Sequence, residues 1–346
     1  MKNKFSKKWF SLLLLTLVIF ASVFLPLPYY IEKPGSTIDL SDVITVNQKT
    51  TDEAGSFSLT SVGVQQASLV TALKAKISSY EDLMTKEEFL AGADSKEYEQ
   101  MQNYYMKSSQ NAAISQALKL ADRPYKFSYE GVYVMSILAD SNFKNKINIG
   151  DTVTAVDGHS FKNNQAFMNY VQAKNIDDEV NITVLQDSKE KTVNGELIKL
   201  PKTNKAGIGI TLVDHTEVES KDKIEFKTDN IGGPSAGLMF TLEIYDQLTK
   251  GNLTQGKKIA GTGTIDDKGA IGRIGGIDKK VVSADKKGVE IFFAPDNKLS
   301  AAEKKIDPKA LSNYQEAKQT ARQIDSKMKI VPVKTLTDAL DYLENM

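Results

Sequence analysis

The sequence predicts a mixed α/β chain in three parts: a single transmembrane helix at the N-terminus, a β-rich unit in the middle and an α/β domain at the C-terminal end. Three observations carry this. Trp9 to Tyr30 is almost free of charge. Residues 126–200 break into short alternating strands between Gly and Asp turns. Residues 205–346 alternate strand-length apolar runs with helical stripes and glycine turns. At 346 residues the chain is long enough for two full cores.

Residues 1–8 carry Lys2, Lys4, Lys7 and Lys8 and read as a basic cytoplasmic tail. The run 9–30 would span about 30 Å as a helix, the thickness of a bilayer core. Trp9 and the Tyr29–Tyr30 pair bracket it, and the lysines ahead of it set the N-terminus inside. A cleaved signal peptide is the rival, but Ala21–Ser22–Val23 is a poor cleavage site. The expectation is an uncleaved single-pass anchor in the cell membrane, contacting lipid, with everything after Tyr30 extracellular.

Residues 31–125 read as a strand pair followed by helix. Asp42–Val46 and Ser56–Val64 are the strands, with a turn near Asp52–Gly55. In the helical part, Leu69, Ala72, Leu73 and Lys76–Ile77 fit one face. Lys86 to Gln110, rich in Glu, Lys, Gln, Met and Tyr, reads as a solvated helix. Asp122–Arg123–Pro124 ends the helical region.

Residues 126–200 follow a different pattern. Gly131–Val132–Tyr133–Val134 opens a strand, Ile149–Gly150–Asp151 is a turn, and Asp157–Gly158 is a hairpin signal. Phe167, Tyr170 and Val171 mark a short helix, and Val180, Ile182 and Val184 alternate as a strand. The runs Ile149–Gly150–Asp151–Thr152–Val153 and Val156–Asp157–Gly158 resemble a bacterial PDZ domain. That resemblance implies capture of an extended peptide by strand addition along Gly131–Val134. A small β scaffold without a ligand has the same pattern.

The C-terminal domain is organised around Asp229–Asn230–Ile231–Gly232–Gly233–Pro234–Ser235–Ala236–Gly237. Strand-like Lys223–Lys227 leads in, and the apolar helix Leu238–Leu248 follows. The glycine pair permits a tight turn, and Pro234 suits the first position of a helix. Ser235 then lies at a strand–turn–helix junction. Gly233, Pro234 and Ala236 form the turn, and the free backbone N–H groups beside Ser235, aided by the helix dipole, are placed to hold an oxyanion. A plain serine N-cap has the same local sequence.

Gly272–Arg273–Ile274–Gly275–Gly276–Ile277–Asp278–Lys279–Lys280 is a second glycine turn entering a helix. Ile277, Val281 and Ala284 share one face, and Lys280 lies beside that stripe in the first turn. Poor solvation and the positive end of the dipole both lower a lysine pKa there. A neutral lysine is a competent general base towards a serine hydroxyl.

Gly-Pro-Ser-Ala-Gly at 233–237, Gly-Thr-Gly-Thr-Ile at 261–265 and Ile-Gly-Gly-Ile-x-x-Lys at 274–280, in this order, resemble the proteolytic domain of Lon proteases over roughly 205–346. The resemblance implies that Ser235 is the nucleophile, Lys280 the base, and Thr262 a supporting contact of the lysine. The expected protein is thus a Ser-Lys serine endopeptidase of mixed α/β fold acting on peptides. The layout of anchor, PDZ and Lon-like domain resembles streptococcal membrane proteases that trim a secreted competence pheromone, which implies quorum-sensing peptide processing. A surface quality-control protease shares the dyad, and a non-catalytic PDZ adaptor shares the layout. The order of strand pair and helix in 34–80 also resembles the start of a Lon proteolytic domain, which would make the PDZ-like unit an insertion.

Other chemistry is set aside. There are no cysteines, so thiol catalysis and disulfides are excluded. Charges balance at 44 basic and 44 acidic residues, which gives no footprint for nucleic acid. Gly251–Lys258 nearly spells a phosphate loop but lacks the following Ser or Thr and comes after a helix, so no nucleotide is expected. His159 falls in the PDZ-like hairpin and His215 in a polar loop, so both read as solvated, and no cofactor or metal motif is present. Ser-x-x-Lys recurs at Ser141, Ser188, Ser220, Ser283 and Ser326 without its partner motifs.

Overall fold

The computed structural model describes residues 3–346 apart from 49–53, 92, 187–188, 202, 229–230, 250 and 300, and only the backbone of 3–7, 302, 303 and 306. The expected turn at Asp52–Gly55 therefore lies mostly outside the described residues, as do Asp229 and Asn230 of the serine motif.

Helix α1 (Asn3–Phe24) ends two residues before Pro26, and strand β1 (Tyr29–Asp39) begins right after Pro28. The expected helix over 9–30 is therefore corrected. Two prolines remove the donors that would continue it, and Tyr29 and Tyr30 belong to a sheet. Among the described residues, no helix is long and apolar enough to cross a membrane. The described side chains of α1 run from Lys8 to Phe24, about 26 Å of helix.

After β1 come β2 (Ile44–Val46) and β3 (Ser56–Gln66), the latter antiparallel to β1. Helix α2 (Leu69–Ile77) starts at a capping box in which Ser68 and Thr71 satisfy each other's amides. Its inward face is Ala72 and Ala75, so the face expected to pack through Leu69, Leu73 and Ile77 points to solvent. Strand β4 (Asp82–Thr85) pairs with β1, and α3 (Lys86–Leu90) follows. Helix α4 (Ser95–Leu120) is capped by Asp94. Only its first half fits the expected solvated helix. Met106, Ser109, Asn111, Ala113, Ala117 and Leu118 are buried, because α4 is wedged between the two folded units.

The β-rich unit holds β5 (Tyr125–Ile137), β6 (Thr152–Val156), β7 (His159–Ser160), α5 (Asn164–Gln172), β8 (Glu179–Gln186), β9 (Lys189–Glu196), β10 (Ile198–Lys199), β11 (Ala206–Gly207) and β12 (Ile210–Ser220). Its main sheet runs β12-β5-β6-β8-β9, with β7 beside β6. Alternating Val132, Val134, Val153, Val180, Ile182 and Val184 point into one core with Phe167 and Val171 of α5. The expected end of this unit at 200 is corrected. Strand β12 pairs with β5 from Ile210↔Ile137 to Ser220↔Tyr125, so the C-terminal domain does not open at 205.

The C-terminal domain contains β13 (Ile224–Phe226), α6 (Gly237–Thr249), β14 (Lys258–Gly261), β15 (Thr264–Ile265), β16 (Ile271–Gly272), α7 (Ile277–Lys286), β17 (Ile291–Pro295), α8 (Ala301–Ile306), α9 (Asn313–Gln323), β18 (Lys329–Val333) and α10 (Leu336–Glu344). Its sheet is completed from the front of the chain: the order is β18-β17-β14-β3-β1-β4, with β3 parallel to β14. One core joins Leu40, Phe57 and Leu59 to Ala113 and Ala117 and to Leu238, Phe240, Ile259 and Phe293. The β-rich unit is thus an excursion that leaves this domain after α4 and returns at β13, which pairs with β2.

Candidate active site

Strand β13 delivers the chain to the serine turn, and α6 carries it away through the core. Gly233 adopts φ 88°, a conformation that favours glycine. Helix α6 begins at Gly237, so Pro234 lies in the turn rather than opening the helix as expected. The turn is clamped from two sides. The Ser235 carbonyl accepts from Gly263 N at 2.9 Å and from Thr262 Oγ1 at 3.0 Å. On the other side Gly233 N donates to Gln102 O at 3.1 Å, and Ser109 Oγ donates to Pro234 O at 3.1 Å. Gln110 Nε2 donates to Thr228 Oγ1 at 2.9 Å. Gln102, Ser109 and Gln110 all lie on α4 and were not singled out from the sequence, because their role exists only once α4 packs against the turn.

Helix α7 brings Lys280 to Ser235. Gly276 caps α7 at φ 62°, with Val62 of β3 packed where a side chain would stand. Ile277, Val281 and Ala284 are buried on the expected face. That anchoring aims Lys280 inward at 3% exposure. Its Nζ lies 2.7 Å from Ser235 Oγ and 2.9 Å from Thr262 Oγ1. Thr262, wholly buried after β14, accepts from Lys280 and donates to the Ser235 carbonyl. Burial alone pulls the Lys280 pKa from the ordinary lysine range down to about 7. The dipole of α7 acts in the same direction.

Ser235, Lys280 and Thr262 are therefore in contact. The expected oxyanion set is reduced: the Gly233 amide is taken by Gln102, and Pro234 has no N–H. Ala236, at the N-terminal end of α6, keeps its position beside the serine. Ser235 and Lys280 open into a cleft of ≈1880 Å³ walled by Leu59–Val64 of β3, by Tyr98, Gln102 and Met106 of α4, and by Ile274–Gly276.

The other expected binding element, the edge at Gly131–Val134, is corrected. Val132 and Tyr133 pair with Val153 and Thr152 of β6 on one side. Asp214 and Val213 of β12 occupy the other side. Nor is His215 in a polar loop: it lies in β12, 2.7 Å from Thr152 Oγ1. His159 is in β7, with Tyr170 OH at 3.2 Å. Gly251–Lys258 connects α6 to β14.

Residues 228–343 match the Lon protease (S16) C-terminal proteolytic domain, and residues 103–197 match the PDZ domain. The PDZ match begins within α4 and stops short of β12. The chain is 33% identical over 96 residues to a Lon protease of Mycoplasmopsis agalactiae, which covers 28% of this chain and 9% of that one. It thus spans less than a tenth of that relative's length. The PDZ domain of an SdrC-like protein from Listeria monocytogenes is 38% identical, covering 25% of this chain and 93% of that one at TM-score 0.25. The corresponding Listeria innocua domain is 34% identical, covering 25% and 96% at TM-score 0.24. The GtR34C structure from Geobacillus thermodenitrificans is 31% identical, covering 24% and 95% at TM-score 0.22. The chain carries a Lon-type serine peptidase domain together with a PDZ domain.

Proposed function

We propose that this protein is a membrane-anchored, ATP-independent serine endopeptidase working through a Ser235–Lys280 dyad. The observation that carries the reading is the 2.7 Å separation of Ser235 Oγ from a buried Lys280 Nζ. In the neutral form Lys280 accepts the hydroxyl proton as Ser235 Oγ attacks a peptide carbonyl carbon. The carbonyl oxygen of the tetrahedral intermediate faces the start of α6, where the Ala236 amide and the helix dipole stabilise it. Protonated Lys280 then gives its proton to the leaving amine, and water repeats the sequence in reverse to free Ser235. Thr262 holds the amine in line and ties it to the backbone of its own nucleophile.

The substrate is a short or extended peptide, because the chain shows no nucleotide motif to drive unfolding. The layout resembles that of the streptococcal pheromone-processing protease SepM, and a secreted signalling peptide is accordingly the first substrate to test. Anchoring rests on α1. Trp9, Phe10, Leu12 to Leu15 and Leu17 to Phe20 are all exposed, which water does not favour. The whole helix has 22 residues, about 33 Å. The folded units then lie extracellularly.

The deciding experiment incubates the full chain in detergent or vesicles with candidate peptides, reads the products by mass spectrometry, and repeats it with Ser235→Ala. Cleavage lost in the variant supports the dyad. Equal cleavage by both proteins, or none by either, favours the non-catalytic adaptor.

A further inference from the structure

Helix α2 wears its apolar residues on the outside. Leu69, Val70, Leu73 and Ile77 are 48%, 48%, 58% and 87% exposed, while Ala72 and Ala75 face the protein. At 100° per residue the four large side chains fill an arc of about 100°, the width that normally seeks a core. Lys74 and Lys76 stand on opposite flanks of that arc. The helix is not marginal: its capping box is complete, and its alanines pack on Ile31 of β1 with Leu27 and Leu83. The sequence therefore builds a stable helix whose buried side is small and whose solvent side is greasy.

The apolar arc continues α1. The two helices touch. Leu27 N donates to Ala67 O at 2.7 Å just ahead of α2, and Gln66 Nε2 donates to Leu27 O at 3.2 Å. Phe24 and Leu25 at the end of α1 are exposed as well. Given the proposed anchoring of α1, we infer that α2 is a second membrane contact, a helix lying in the headgroup region with Leu69, Leu73 and Ile77 in lipid. An arc of this kind flanked by lysines is the pattern of an interfacial helix: Lys76 reaches up to the phosphates, while Lys74 Nζ is held 2.6 Å from Glu81 Oε1.

This contact places the catalytic cleft. Val62 and Val64 of β3 line the cleft, and the chain needs only five residues from Val64 to Leu69. Five residues reach at most about 18 Å. The rim of the cleft at Val64 therefore lies within that distance of α2 and of the bilayer surface, and the enzyme favours peptides held at that surface over free ones.

The absence of cysteine makes the test clean. Leu73→Cys, Ile77→Cys and Ile176→Cys in the full chain are labelled with bimane and reconstituted in vesicles with brominated acyl chains. Ile176 is exposed in the β-rich unit and serves as the control. The expectation is about twofold or greater quenching at 73 and 77 with little at 176. Flotation of the same vesicles reports the anchor separately. A chain that floats with 73 and 77 unquenched overturns the role of α2 and leaves α1 intact. A chain that fails to float overturns both. Pyrene excimers between chains labelled at 73 identify a second copy on the arc and also overturn the proposal. In the Leu73→Gln/Ile77→Gln variant, cleavage of a lipid-tethered peptide falls about tenfold while cleavage of the free peptide is unchanged. An equal effect on both peptides overturns the placement of the cleft.

Discussion

Lys279 and Lys280 are consecutive on α7 and equally buried, each 3% exposed, yet they are held in opposite states. Burial pushes Lys279 down, but Asp82 and Asp278 at its ammonium more than restore it, and its pKa ends above the usual lysine value. Lys280 meets two hydroxyls instead, and burial acts on it unopposed. One lysine ties α7 to β4 as a cation. Its neighbour is left poised near neutrality beside the serine.

Ser235→Ala removes the oxygen proposed to attack the peptide, and little packing. Cleavage should fall by roughly 10⁴-fold or more. The melting temperature should stay within about 2 °C of the parent. Single-turnover assays and thermal melts on the same preparation check both halves.

The rate should follow the neutral fraction of Lys280. kcat/KM is expected to fall tenfold per pH unit below about 7 and to flatten above it. Equal rates at pH 5 and pH 8 would show that the lysine is not the base.

The same shift has a stability counterpart. The folded pKa of about 7 lies below the unfolded value, so the unfolded chain binds the extra proton between roughly pH 7 and 10. Stability from this group therefore rises with pH across that window. Relative to Lys280→Met, the parent should gain on the order of 4 kcal/mol from pH 7 to 10. Urea titrations of both proteins at the two pH values measure the difference, and a constant gap would contradict a buried neutral amine.

Thr262→Val keeps the shape and deletes the hydroxyl that positions Lys280. The expected result is a kcat lower by about ten- to a hundredfold with KM nearly constant, restored by Thr262→Ser. A rise in KM alone would assign Thr262 to substrate binding.

Gly276→Ala strains a left-handed position and drives a methyl to 2.7 Å from Val62 Cγ2. It should cost about 1–3 kcal/mol and lower activity further than that loss explains, because Gly276 sets where α7 begins. Denaturant melts beside activity at a temperature where both proteins are folded separate the two effects.

Strand β12 predicts an exchange pattern. With both sides of β5 paired, consecutive amides from Val132 to Val134 should be protected in the absence of any peptide. A free edge would leave alternate amides exchanging fast. Hydrogen exchange read by NMR or mass spectrometry distinguishes these, and fast alternate exchange would restore the open peptide-binding edge.

Ser235 and Lys280, which the structure brings together, were legible in the sequence because each follows its own glycine turn and because the order of the motifs resembles that of Lon proteolytic domains. Gly232–Gly233–Pro234–Ser235 and Gly275–Gly276 followed by Lys280 are local signals, written in backbone conformation and helix start, and they need no distant partner. The α/β character and the strands of the PDZ-like unit were legible for the same reason, since periodicity is local. Tertiary structure alone decided the rest. The charge state of Lys280 depends on which of two adjacent lysines meets Asp82, and β4 is nearly two hundred residues away. The loss of the Gly131–Val134 edge depends on β12, whose own pattern does not say which sheet it joins. The hold of α4 on the serine turn and the outward apolar face of α2 are also matters of which side a helix turns to its neighbours. An amphipathic pattern shows that a helix has two faces; only the packed fold determines which one is inside.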